Sequence, residues 1–91
     1  LLSCDLHDYL EIICLYQTEV KLTLQDGNKI IAVADQVVIN KDHHGNKQEH
    51  LQITLKNRTL SSINVELIKL IECLQEPRPF GYLNLKTGER R

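Results

Sequence analysis

The hydrophobic pattern of the chain changes period near residue 17. Before that point Leu6, Leu10 and Ile13 recur at helical spacing, with Tyr9 and Ile12 beside them, which predicts a helix over Ser3 to Tyr16. Asp5 is expected as its N-cap, with Asp8 placed where an acidic side chain reaches back to the first turn. From Thr18 the period is two. Val20, Leu22 and Leu24 alternate with Glu19, Lys21, Thr23 and Gln25, as in a half-buried strand. Asp26-Gly27-Asn28 reads as a hairpin turn, because glycine accepts positive φ and the Asp side chain bonds its own backbone. A second strand is expected from Lys29 to about Ile39, with a bend or bulge at Asp35-Gln36.

Asn40 to His50 is polar and lacks an apolar anchor, so it reads as the one clear loop. Leu51, Ile53 and Leu55 then alternate as a third strand, and Asn57-Arg58 makes the next turn. A fourth strand is expected from Thr59, with Leu60, Ile63 and Val65 at buried positions. Its apolar run continues through Ile68, Leu70 and Ile71 to about Cys73. Glu76-Pro77-Arg78-Pro79 breaks the pattern, since proline cannot donate to a ladder. A last short strand, Phe80 to Leu85, precedes a Lys86-Thr87-Gly88 turn. The expected fold is a single mainly β domain: an N-terminal helix over 1–17, a small barrel of about five strands over 18–86, and a charged tail over 87–91. Long bent strands let a sheet curl and cover its own edges.

At 91 residues the chain supports one modest core, and with no Trp or Met that core must be Leu, Ile and Val. The net charge of −1 argues against non-specific nucleic-acid binding, which leans on a basic footprint. The average hides an asymmetry. Residues 1–19 carry Asp5, Asp8, Glu11 and Glu19 without a Lys or Arg, whereas the C-terminal end carries Arg78, Lys86, Arg90 and Arg91 against Glu89. Cys4, Cys14 and Cys73 do not form a disulfide framework, and no run approaches the ~20 apolar residues of a membrane span. No signal peptide is visible, and since the chain opens on Leu1 a few preceding residues are expected to be missing. The expected setting is a reduced cytoplasm.

The residue types present offer several chemistries. Cys4-x-x-His7, Cys14, His43 and His44 offer metal-ligand types, but structural zinc sites show two tight ligand pairs at set spacing, and here there is one Cys-x-x-His. No metal or other cofactor is expected. Cys14 falls on the apolar side of the helix and reads as packing. With no phosphate loop and no nucleophile motif, an enzyme is not expected. Direct binding of single-stranded RNA would use Lys41, Lys47, Lys56 and Arg58 around the loop ends, but the strands lack a basic stripe and a stacking surface. What remains is the acidic helix face of Asp5, Asp8 and Glu11. Most charge runs are solvated faces; the functional alternative is a negative patch for a cationic partner.

Cys4-Asp5-x-x-Asp8-x-Leu10-Glu11-x-x-Cys14 resembles the opening helix of the Rho-binding antiterminators (Rof or YaeO). The resemblance continues through Leu22-Thr23-Leu24, Asp26-Gly27, Lys29 and Ala32-x-Ala34, and resumes at Glu49-x-Leu51, Pro77 and Gly81. It implies an Sm-like barrel behind an N-terminal helix. It also implies binding to the RNA-binding domain of the termination factor Rho, which blocks RNA loading and inhibits termination. Carried over by position, the helix contacts fall on His7, Asp8 and Glu11, with Asp5 on the same acidic flank, and the loop contacts fall near Asn40, Lys41 and Asp42. The chain departs from the family where His7 replaces a Tyr, where Leu6 replaces an acidic residue, and in a 40–50 loop about five residues longer. The alternative reading is an Sm-like domain that binds single-stranded RNA itself.

Overall fold

In the computed structural model, which describes residues 4–76 and 78–91, one helix precedes six antiparallel strands. The helix α1 is Cys4–Leu15, and the strands are β1 Glu19–Leu24, β2 Lys29–Lys41, β3 Lys47–Leu55, β4 Leu60–Asn64, β5 Ile68–Cys73 and β6 Tyr82–Asn84. Their order in the sheet is β4-β3-β2-β1-β5-β6. Asp5 lies inside the first turn of α1, not at its cap. Ser3 lies outside the described residues. The helix ends as a Schellman turn: Thr18 N donates to Ile13 O at 2.9 Å and Gln17 N to Cys14 O at 3.0 Å, with Gln17 at φ 49° where glycine is usual.

Turn chemistry placed the hairpins well. Asp26 accepts from the Asn28 amide at 2.9 Å and Gly27 sits at φ 92°. Asn57 accepts from the Thr59 amide at 3.0 Å. The β2–β3 register slips between Ala34 and Gln36, which places a bulge at Asp35 as the sequence suggests.

Other expectations are corrected. Most of the expected 40–50 loop is strand: β2 and β3 pair out to Lys41 opposite Lys47, leaving only residues 42–46 as a turn. Ladder hydrogen bonds carry this arm beyond the core, so it needs no apolar residues. The expected strand from Thr59 to Cys73 is two strands, broken by a 3-10 turn at Val65–Leu67 that the Asn64 side chain caps through the Glu66 amide. Leu60 is not buried but 76% exposed, at the outer edge of the sheet. The last strand is shorter than Phe80–Leu85. The expected tail is not free either: Arg90 bridges to Leu83, and Arg91 N donates to Tyr82 O at 3.0 Å. The Pro77 break falls outside the described residues.

Six strands, not about five, make an open sheet whose ladder does not close on itself among the described residues. It is nevertheless rolled. Asn64 and Ile68 are four residues apart, at most about 14 Å of chain. In a flat sheet β4 and β5 would stand about 19 Å apart, four strand spacings. The inside of the roll is filled by Leu22, Leu51, Ile53, Ile71 and Leu83, and α1 covers it with Leu10 and Ile13.

Candidate functional site

The core stripe of α1 is Leu6, Leu10, Ile13 and Cys14, packed towards the sheet. Burial pushes the Cys14 thiol up to about 12, so it stays protonated and acts as packing. At 100° per residue, the opposite surface carries Asp5, Asp8, Glu11, Ile12 and Leu15. All five are exposed, Leu15 by 76%. Asp8, Glu11, Ile12 and Leu15 line one shallow depression of about 460 Å³. The surface is therefore acidic and apolar together, a mixture the charge count alone did not show.

The helix has two flanks. On one, His7 reaches the sheet: its Nδ1 lies 2.8 Å from Glu49 Oε2 and its Nε2 2.9 Å from Glu11 Oε1. The hydrogen bond to Glu49 does most to raise the His7 pKa above its ordinary value, with Glu11 adding to it and burial opposing it. A protonated His7 donates to both carboxylates, so one of the acidic groups expected to face a partner is already shared. Glu49 is only 6% exposed and stands on β3 opposite Ile39 of β2. The resemblance includes Glu49-x-Leu51, but it gives Glu49 no part in the site. The available signal is the period of two, which puts Glu49 between half-buried Gln48 and His50 on the face that continues to Leu51 and Ile53.

On the other flank Tyr9 meets the carboxy-terminal end. Its ring packs edge-on against Phe80 at 5.8 Å between centroids, and the Arg90 guanidinium lies 4.7 Å from its centroid. Asp5, Leu6 and Tyr9 line a cavity of about 570 Å³ with Lys86, Thr87, Gly88 and Arg90. The Asp5 and Asp8 side chains make no hydrogen bond or ion pair among the described residues.

Of the expected loop residues, Asn40 and Lys41 end β2, opposite Gln48 and Lys47. They share the arm that carries Glu49, so the His7–Glu49 contact ties the helix to that arm. Asp42 builds the turn itself. It accepts from the amides of His44 at 2.8 Å and Asn46 at 2.9 Å, and these bonds, the Asn46 one foremost, hold its carboxyl below the usual range. The basic residues that RNA binding would use do not gather. Lys41 and Lys47 stand at one end of β3, and Lys56 and Arg58 follow its other end, about 26 Å away by strand rise.

Comparison with known proteins adds family and fold. A family model described as "Modulator of Rho-dependent transcription termination (ROF)" matches residues 1–85. Among solved structures, "YaeO bound to Magnesium from Vibrio cholerae O395" is similar at 23% identity and a TM-score of 0.69, covering 85% of this chain and 94% of that one. The search of curated proteins gives no match. Among the described residues no helix is long and apolar enough to cross a membrane.

Proposed function

The chain belongs to the family of modulators of Rho-dependent transcription termination, and from that premise we propose that it binds the RNA-binding domain of Rho through α1, blocks RNA loading and so inhibits termination. The observation that carries this reading is the exposed surface of Asp8, Glu11, Ile12 and Leu15 on a segment without Lys or Arg. A surface that binds RNA phosphates is cationic, and carboxylates at matching positions compete for it through charge-assisted hydrogen bonds. Asp8 is the principal contact and Glu11 shares its charge with His7. Asn40 and Lys41 form the second contact, held beside the helix by Glu49, while Asp42 shapes the turn. The rolled sheet serves as the Sm-like barrel that presents both. Rho binding is a cytoplasmic role and needs no catalysis by this chain.

The test is Asp8→Lys combined with Glu11→Lys. Both side chains are exposed, so the fold is retained and circular dichroism stays unchanged. Affinity for the purified RNA-binding domain of Rho, measured by calorimetry at moderate salt, is expected to fall at least about 100-fold, since truncating hydrogen-bonded charge pairs costs 2–5 kcal/mol and reversal costs more. Unaltered affinity of a folded double variant removes the proposal.

A further inference from the structure

The cavity beside Tyr9 has the chemistry of a site for an arginine side chain. Asp5 and Tyr9 are one helical turn apart, so a carboxylate and an aromatic face line the same space. Guanidinium groups are weakly hydrated, stack on aromatic rings and pair with carboxylates. The chain itself supplies one such group, Arg90, 4.7 Å from the ring centroid. Close by, the same three kinds of group meet again. Arg91 lies 5.3 Å from the Tyr82 ring and 3.8 Å from Glu89, and Glu89 accepts from the Tyr82 hydroxyl. Arg91 thus has both a ring and a carboxylate. Arg90 has only the ring, because no ion pair joins it to Asp5 among the described residues. Lys86, the other cation on the cavity wall, is turned to the Glu66 carbonyl at 2.9 Å.

We propose that Asp5 and Tyr9 form a binding site for an arginine side chain of a partner protein, and that Arg90 is a built-in occupant which the partner's arginine displaces. Arg90 is positioned by backbone pairing: Leu83 bridges to it, and Asn84 N donates to Glu89 O at 2.8 Å. It therefore reaches the ring from a paired backbone and makes no ion pair with Asp5 among the described residues. An incoming arginine is free to do both, and so outcompetes it. Residues 86–91 lie beyond the family match. The site does not depend on the identity of the partner.

The test uses the intact protein and acetylated hexa-arginine amide, with hexa-lysine amide alongside, at low salt and without Rho. Arg90→Ala and Arg90→Gln vacate the ring and leave the backbone bridge in place. Each is expected to bind hexa-arginine about two- to fivefold more tightly than the parent, the gain that follows from removing an exposed cation–π competitor. The Tyr9 ring resonances should shift on titration. Adding Tyr9→Leu, which keeps apolar bulk against Phe80, should erase the gain, as should Asp5→Asn. Hexa-lysine should gain less. Equal affinity of parent and both Arg90 variants overturns the proposal. So does a gain that survives Tyr9→Leu, or one that is the same for lysine and reports only a more negative surface.

Discussion

On one flank of α1 a histidine bridges an exposed and a buried carboxylate; on the other a tyrosine packs edge-on against a phenylalanine beneath a guanidinium. The first contact is ionic and depends on a proton. The second combines dispersion, ring quadrupoles and a charge that does not titrate. Both hold a short helix that would not persist alone, since isolated helices under about 12–15 residues are marginal in water. They also divide its acidic face. His7 shares the charge of Glu11, and Arg90 lines the same cavity as Asp5, so Asp8 remains as the helix carboxylate with neither an ion pair nor a cation in its depression among the described residues. A protein that offers anions to a partner must keep its own cations from neutralising them, and here they sit at the two sides of the helix and not on its crest.

The sharpest way to break the comparison is to remove the aromatic wall. Phe80 is 4% exposed and is the only Phe in the chain. Phe80→Ala is expected to cost about 3–5 kcal/mol in urea unfolding, as deletion of a buried ring does. Tyr9 would lose its edge contact, and Cys14 on the inner face of the helix should become accessible to a thiol reagent. A cost below about 1 kcal/mol would mean that the Tyr9 flank contributes little to seating the helix.

The ionic flank should matter less. His7→Ala deletes the bridge and leaves Glu49 without one of its partners, at about 1–3 kcal/mol by the cost of stripping a buried polar group. The His7 side chain is 26% exposed, so water compensates in part and the lower end is expected. His7→Ala should also free Glu11 and thereby tighten binding to a cationic partner at low salt. If His7→Ala costs more than Phe80→Ala, the ordering of the two flanks is reversed.

Much of this fold was legible in local chemistry. Alternation in Val20, Leu22 and Leu24 marked β1. Asp26-Gly27-Asn28, Asn57-Arg58 and the bulge at Asp35 were read from turn and bulge residues, because those signals act over a few positions. The arm of Lys41 and Lys47 was not legible. Its strands stand beyond the core and are held by backbone pairing, which leaves no hydrophobic trace. The break at Val65–Leu67 interrupts an apolar run without changing its composition; the Asn64 cap was the available sign. The spacing of Asp5, Asp8 and Glu11 puts them on one exposed face, but the groups that flank that face leave no trace in the spacing. Glu49 lies 42 residues from His7, and Arg90 comes to Tyr9 only because the end of the chain folds back onto β6. No periodicity within a segment carries such a pairing.

The smallest effect, and the one that separates the flanks most cleanly, is that of pH. The His7 pKa is raised in the folded chain, first by the Glu49 hydrogen bond. The folded state therefore holds the His7 proton more tightly than the unfolded chain does. Its stabilisation is complete below the ordinary histidine value of 6.5 and is lost as pH rises through the raised one. The Tyr9 flank, formed with Phe80 and Arg90, holds no histidine and no thiol. Cys14 contributes above about 9, where the unfolded thiol ionises and the buried one, at about 12, does not. Between pH 6 and 8.5 the parent should therefore lose stability that His7→Gln does not lose. The other three histidines are common to both proteins and cancel in the difference. The expected loss is below about 1 kcal/mol, in keeping with a partly exposed ion pair. It is measured as the urea midpoint of each protein at the two pH values. Parallel pH profiles for parent and variant would show that the proton on His7 does not hold the helix, and that the Tyr9 flank seats it alone.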